Sequence, residues 1–93
     1  MTLVWSSRFT RTVKKLARAK PGLLDDLETM LQQLKHDPHH PSLRTHKLGG
    51  ELKDCWACFT GYDFRVLFQF TRHPKTHELE IHLLNLGTHD EVY

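Results

Sequence analysis

The period of the hydrophobic positions changes midway along the chain. In the first half, Phe9, Val13, Leu16 and Ala17, then Leu23, Leu24, Leu27, Met30, Leu31 and Leu34, recur at helical spacing. In the second half, Phe64, Val66, Phe68 and Phe70 alternate with Arg65, Leu67, Gln69 and Thr71, which predicts a strand with one strongly buried face. Leu79, Ile81 and Leu83 alternate with Glu80, His82 and Leu84 in the same way, within a last strand spanning Glu78 to Leu86. The remaining elements are shorter. Thr2-Leu3-Val4-Trp5-Ser6 is a β-prone run, Cys55 to Thr60 a strand candidate, and Thr45 to Leu48 a weaker one ending at Gly49-Gly50.

Punctuation between these runs agrees with them. Ser6 or Ser7 supplies an N-cap for the first helix, and Lys20-Pro21-Gly22 ends it, with Pro21 opening the second. Asp25, Asp26 and Glu28 in the early turns and Lys35 and His36 near the end match the dipole of that second helix. Asp37-Pro38-His39-His40-Pro41-Ser42 cannot continue a helix and reads as a loop. Gly61-Tyr62-Asp63 makes a hairpin turn and Arg72 to His77 a second turn. The order is β-α-α-β-β-β-β: an α+β fold in which a two-helix hairpin covers one face of a mostly antiparallel sheet.

Ninety-three residues make a single domain, 1–93, with a thin core. The hydrophobic fraction of 39% and charged fraction of 26% suit a globular protein; no apolar run approaches the ~18 residues of a membrane span, and nothing near Met1 resembles a signal peptide. A cytoplasmic protein with no membrane partner is the expectation. The net charge is only +2, yet Arg8, Arg11, Lys14, Lys15, Arg18 and Lys20 follow one another with no acid among them. That run suits an anionic partner, nucleic acid or an acidic protein; a solvated helix face gives the same pattern.

Cys55-x-x-Cys58 followed by His73-x-x-x-His77 has zinc-finger spacing. Its geometry is wrong: the intervening segment reads as strand, Pro74 separates the histidines, and residues three apart on a strand face opposite ways. No metal and no cofactor is expected, and the two cysteines read as small buried thiols. There is no phosphate-cradling glycine loop and no serine-hydrolase elbow. What remains is histidine chemistry. Cleaving RNA through its own 2′-hydroxyl needs a base, an acid and a cation over the phosphate. The chain offers His46 and His89 as proton movers, Asp63 as a base or orienting carboxylate, and Arg65 as the cation.

Three segments carry a resemblance. His46-Lys47-Leu48-Gly49-Gly50, Tyr62-Asp63-Phe64-Arg65-Val66-Leu67-Phe68 and Leu86-Gly87-Thr88-His89-Asp90-Glu91-Val92-Tyr93 together resemble the RelE/ParE superfamily of bacterial type II toxins, and are most similar to its YafQ-type and RelE-type mRNA interferases. The resemblance in element order covers essentially the whole chain. It implies a RelE-like fold and metal-independent cleavage of mRNA in the ribosomal A site, through a cyclic phosphate. It places His46, Asp63 and His89 at catalytic positions of YafQ-type toxins, Tyr93 at the terminal aromatic, and Arg65 at the strand arginine of RelE-type toxins. Phe64 stands where a tryptophan is found, and with Lys47 and Lys53 it joins Arg8, Arg11, Lys14, Lys15 and Arg18 as the expected RNA-binding set. The chain departs from the pattern at Phe59, where YafQ-type toxins have a histidine, and at Trp56 and Cys58, where RelE-type toxins have lysines. The implied partners are a cognate antitoxin, in a hetero-oligomer, and the ribosome with its mRNA. ParE-type relatives share the fold but inhibit DNA gyrase by binding, so gyrase inhibition is the alternative; a degenerate toxin acting only in an antitoxin-bound repressor complex is another.

Overall fold

The computed structural model describes residues 1–59 and 64–88. Its elements are β1 (Thr2–Trp5), α1 (Ser7–Ala19), α2 (Leu23–His36), β2 (His46–Lys47), β3 (Trp56–Phe59), β4 (Arg65–Arg72) and β5 (Leu79–Gly87), with one-turn 3₁₀ helices at Pro41–Leu43 and Gly50–Leu52. The strands form one five-stranded sheet in the order β1-β5-β4-β3-β2. β1 runs parallel to β5, and the other neighbours are antiparallel. The α+β order expected from the hydrophobic pattern is the observed one.

Local chemistry explains the helix boundaries. The Ser6 hydroxyl accepts from the Phe9 amide at 3.0 Å, capping α1, and donates to the Leu84 carbonyl at 3.2 Å. The Ser6 amide donates to the Leu83 carbonyl at 3.0 Å, so the start of α1 is tied to β5 by both backbone and side chain. Pro21 does not open α2. The Leu23 amide donates to the Lys20 carbonyl and the Leu24 amide to that of Pro21, so Pro21 sits in a connecting turn and the helix begins two residues later. The proline's fixed φ serves that turn instead.

Phe9 from α1 and Leu27, Met30, Leu31 and Leu34 from α2 bury themselves against Cys58, Val66, Phe68, Ile81, Leu83 and Leu86 of the sheet. Leu83 and Leu86 are three residues apart, and in a regular strand they would face opposite ways. A register shift reconciles them: Leu67 pairs with Asn85 and Phe68 with Leu83, leaving Leu84 as an extra residue. This β-bulge turns Leu86 back toward the helices.

β4 departs from the expectation of a single buried face. Leu67, on the side away from the helices, is only 7% exposed. It packs with Cys55, Leu48, Leu52 and Leu84, because the segment between β2 and β3, including its 3₁₀ turn, folds over that side. Cys55 and Cys58 therefore sit in different clusters on opposite sides of the sheet.

Two stability outcomes follow. Ser6→Ala removes the cap and the contact to the bulge, and is expected to cost about 1–2 kcal/mol in urea unfolding. Burial pushes the Cys58 thiol up to about 12, against the opposing effect of a hydrogen bond with the Val66 backbone. The unfolded chain ionises this group near ~8.5, so its contribution is complete below that pH and is lost as pH climbs toward the folded value. Urea unfolding across that alkaline range should show a decline that Cys58→Ala makes shallower; an equally steep decline in the variant would assign the effect to other groups.

Candidate functional site

The site begins in the loop after α2. His40 Nδ1 accepts from the Ser42 amide at 3.2 Å, capping the Pro41–Leu43 turn, and the Thr45 hydroxyl donates to the Pro38 carbonyl. Leu43 is buried in the main core and anchors the turn from beneath. The next residue, Arg44, has φ 49, a left-handed conformation uncommon for a residue with a side chain. Its amide donates to the Pro41 carbonyl at 3.3 Å, so the kink is closed by a backbone bond. The chain then enters β2 at His46.

His46 Nδ1 lies 2.9 Å from the Arg44 carbonyl oxygen. A carbonyl only accepts, so Nδ1 carries the proton, and the neutral ring keeps its lone pair on Nε2. The imidazole is exposed. It is thus held in a tautomer able to take a proton from a bound group.

His46 pairs with Ala57, and Phe59, two residues along β3, pairs with Arg65 of β4. Alternation along the strands puts His46, Ala57, Phe59 and Arg65 on the side of the sheet away from the helices. The Arg65 guanidinium carbon is 4.4 Å from the centroid of the Phe59 ring, and that of Arg44 is 5.4 Å from it. On its other flank Arg65 pairs with Gly87 near the end of β5. One end of the sheet thereby gathers an imidazole and two guanidiniums beside an aromatic ring, a set able to bind an anion and accept a proton from it.

Of the expected catalytic residues, His46 and Arg65 are brought to this end of the sheet. Asp63, His89 and Tyr93 lie outside the described residues, as does the Gly61-Tyr62-Asp63 turn. The expected RNA-binding residues are divided. Lys47 pairs with Trp56, and so faces the opposite side from His46, while Lys53 is exposed in the turn after the second 3₁₀ helix. Arg8, Arg11, Lys14, Lys15 and Arg18 are exposed along α1. Phe64 is on the helix side, where Arg8, Thr12, Lys15, Lys20 and Thr88 join it in lining a cleft of about 420 Å³. The Lys20 ammonium is 5.9 Å from the Phe64 ring centroid. Arg44 was missed by sequence reasoning. Its spacing of two from His46 was the available signal, and a loop assignment over Asp37 to Ser42 followed by a weak strand obscured it.

The cysteine and histidine pairs have other uses. His73 Nδ1 accepts from the Lys75 and Thr76 amides at 3.1 and 3.3 Å and so shapes the turn between β4 and β5. No group of three or more metal-binding side chains clusters among the described residues. Among those residues, no helix is long and apolar enough to cross a membrane.

A family model described as bacterial toxin of type II toxin–antitoxin system, YafQ, matches residues 1–93. No curated protein sequence matches the chain. Among solved structures, a metal-bound toxin from Helicobacter pylori is 26% identical, with TM-score 0.77 and coverage of 100% of this chain and 99% of that one. The YafQ crystal structure from E. coli strain BL21(DE3) is 17% identical, with TM-score 0.77 and coverage of 98% and 96%. A chain of an E. coli DinJ–YafQ toxin–antitoxin complex is 19% identical, with TM-score 0.71 and coverage of 98% and 94%.

Because His46 is exposed and its one side-chain hydrogen bond is to a neighbouring carbonyl, His46→Ala is expected to change unfolding free energy by no more than about 0.5 kcal/mol. A much larger loss would mean that the histidine holds the loop together.

Proposed function

This chain belongs to the YafQ family of bacterial toxins of type II toxin–antitoxin systems, and we propose that it acts as a ribosome-dependent endoribonuclease that cleaves mRNA in the A site. The observation that carries this reading is the convergence of His46 and Arg65 on one side of one sheet end. Asp63 precedes Arg65 by two positions, and His89 follows Gly87, the strand partner of Arg65, by two.

In this mechanism His46 Nε2 takes the proton from the 2′-hydroxyl, the role its tautomer suits, and the oxygen attacks the adjacent phosphorus. Charge develops on the phosphorane oxygens, and the Arg65 guanidinium stabilises it. His89 protonates the departing 5′-oxygen, leaving a cyclic phosphate. Asp63 orients one of the imidazoles or shares the base role, and Tyr93 stacks on a base or positions the 2′-hydroxyl. The exposed cations of α1, with Lys47, Lys53 and Phe64, hold RNA phosphates and bases of the ribosome complex. A cognate antitoxin is the second partner, as in the E. coli DinJ–YafQ complex. Its acidic or amphipathic segment covers the basic face of α1.

Ribosomes programmed with a defined mRNA, incubated with the toxin and mapped for new 5′ ends, test the proposal. Cuts at the A-site codon are expected, falling by about 10²–10⁴ with His46→Ala or His89→Ala. Intact mRNA together with trapped gyrase–DNA complexes would replace this reading with gyrase inhibition.

A further inference from the structure

Resting on the reading of His46 as the proton acceptor, we propose that His39 is a positioning residue. Stacked on Trp56 and Phe70, it holds the loop before β2 so that the Arg44 carbonyl keeps His46 in its proton-accepting tautomer. The His39 ring centroid lies 5.9 Å from that of Phe70, with 29° between the planes, and 5.5 Å from that of Trp56, at 74°. Trp56 and Phe70 meet edge to face at 5.4 Å, so the three rings close a triangle. The two sheet rings are half-buried and packed against the main core, whereas His39 is exposed. A loop residue is thereby laid on a rigid aromatic floor that the sheet supplies.

β2 needs such an anchor. It has two residues and lies at the edge of the sheet, too short to fix its own register. The Thr45 hydroxyl donates to the Pro38 carbonyl, which ties the residue before His46 to the residue before His39. On the sheet, Trp56 directly precedes Ala57, the strand partner of His46. The loop is therefore fastened to β3 at both ends, by His39 on Trp56 and by His46 opposite Ala57. Between these points, burial of Leu43 and the bond from the Arg44 amide to the Pro41 carbonyl hold Arg44 in its left-handed conformation. The Arg44 carbonyl oxygen then meets His46 Nδ1 at 2.9 Å. Release of the His39 end frees that carbonyl to move, and an imidazole without the acceptor reverts to the Nε2-protonated form, whose Nε2 takes up no proton.

Nitrogen-15 NMR of the full chain reads the tautomer directly, at a pH where the ring is neutral, with His46 assigned by its disappearance in His46→Ala. The native protein is expected to carry the His46 proton on Nδ1. His39→Ala should move most of the population to Nε2–H, and His39→Phe, which keeps a flat ring, should restore the native form. In the ribosome assay, His39→Ala should lower the single-turnover cleavage rate about ten- to hundredfold and leave the half-saturating toxin concentration unchanged. His39→Phe should recover the rate, and adding His39→Ala to His46→Ala should cause no further fall. An unmoved tautomer in His39→Ala, an equal loss in His39→Phe, or additive losses in the double variant would each overturn the proposal. The expected tautomer change together with uncut mRNA for the native protein would overturn the nuclease reading and leave the clamp standing, because the NMR measurement involves no ribosome.

Discussion

The pairing of β4 with β5 through a one-residue bulge is the constraint on which the rest of the structure depends. Leu83 and Leu86 both enter the main core, and only the extra residue at Leu84 permits it. The bulge also presents the Leu84 carbonyl to the Ser6 hydroxyl, so the start of α1 is docked where the strand departs from regularity. Beyond the bulge, the restored register sets Gly87 opposite Arg65, which in turn lies opposite Phe59. Helix placement and site placement thus descend from the same irregularity.

The two sides of the sheet have separate tasks. The helix side is spent on burial, and its polar margin is the basic cleft between α1 and the ends of β4 and β5. Among the described residues, the small cluster around Cys55 and Leu67 covers the other side, and His46, Arg44, Phe59 and Arg65 lie at its end. The exposed cations of the surface, Arg44 among them, are hydrated, and that hydration is displaced when a polyanion arrives. Interaction with RNA through such groups is therefore governed by counterion release more than by contact area.

Much of this was legible in the sequence because the signals are local. Ser6 as a cap, the stripe from Leu27 to Leu34, and the alternation through Val66 and Phe68 each follow from short-range periodicity, and each is observed. The opposed faces of Cys55 and Cys58 likewise follow from strand geometry. What escaped has a common physical character. Leu83-Leu84-Asn85-Leu86 carries no period that locates a bulge, and Leu67 read as the open side of a strand because its cover comes from a different segment. The turn at Pro21 was misplaced because a proline suits both a first helical turn and a tight connection. Arg44 and Phe59 gained meaning only from a left-handed residue and a cross-strand pair, neither of which has a local signature.

The parallel pairing of β1 with β5 joins the first strand of the fold to its last. Contacts of such sequence separation form only after the loop between them is closed, which slows folding relative to a chain of local contacts. On a translating ribosome, β1 has no strand to lie against until β5 has emerged. The apolar stripes of α1 and α2 have lost their full cover for the same interval, since Ile81, Leu83 and Leu86 belong to that late strand. A nascent copy is therefore a sticky, incomplete object until β5 emerges, and the order of manufacture itself withholds the finished sheet until that strand is made.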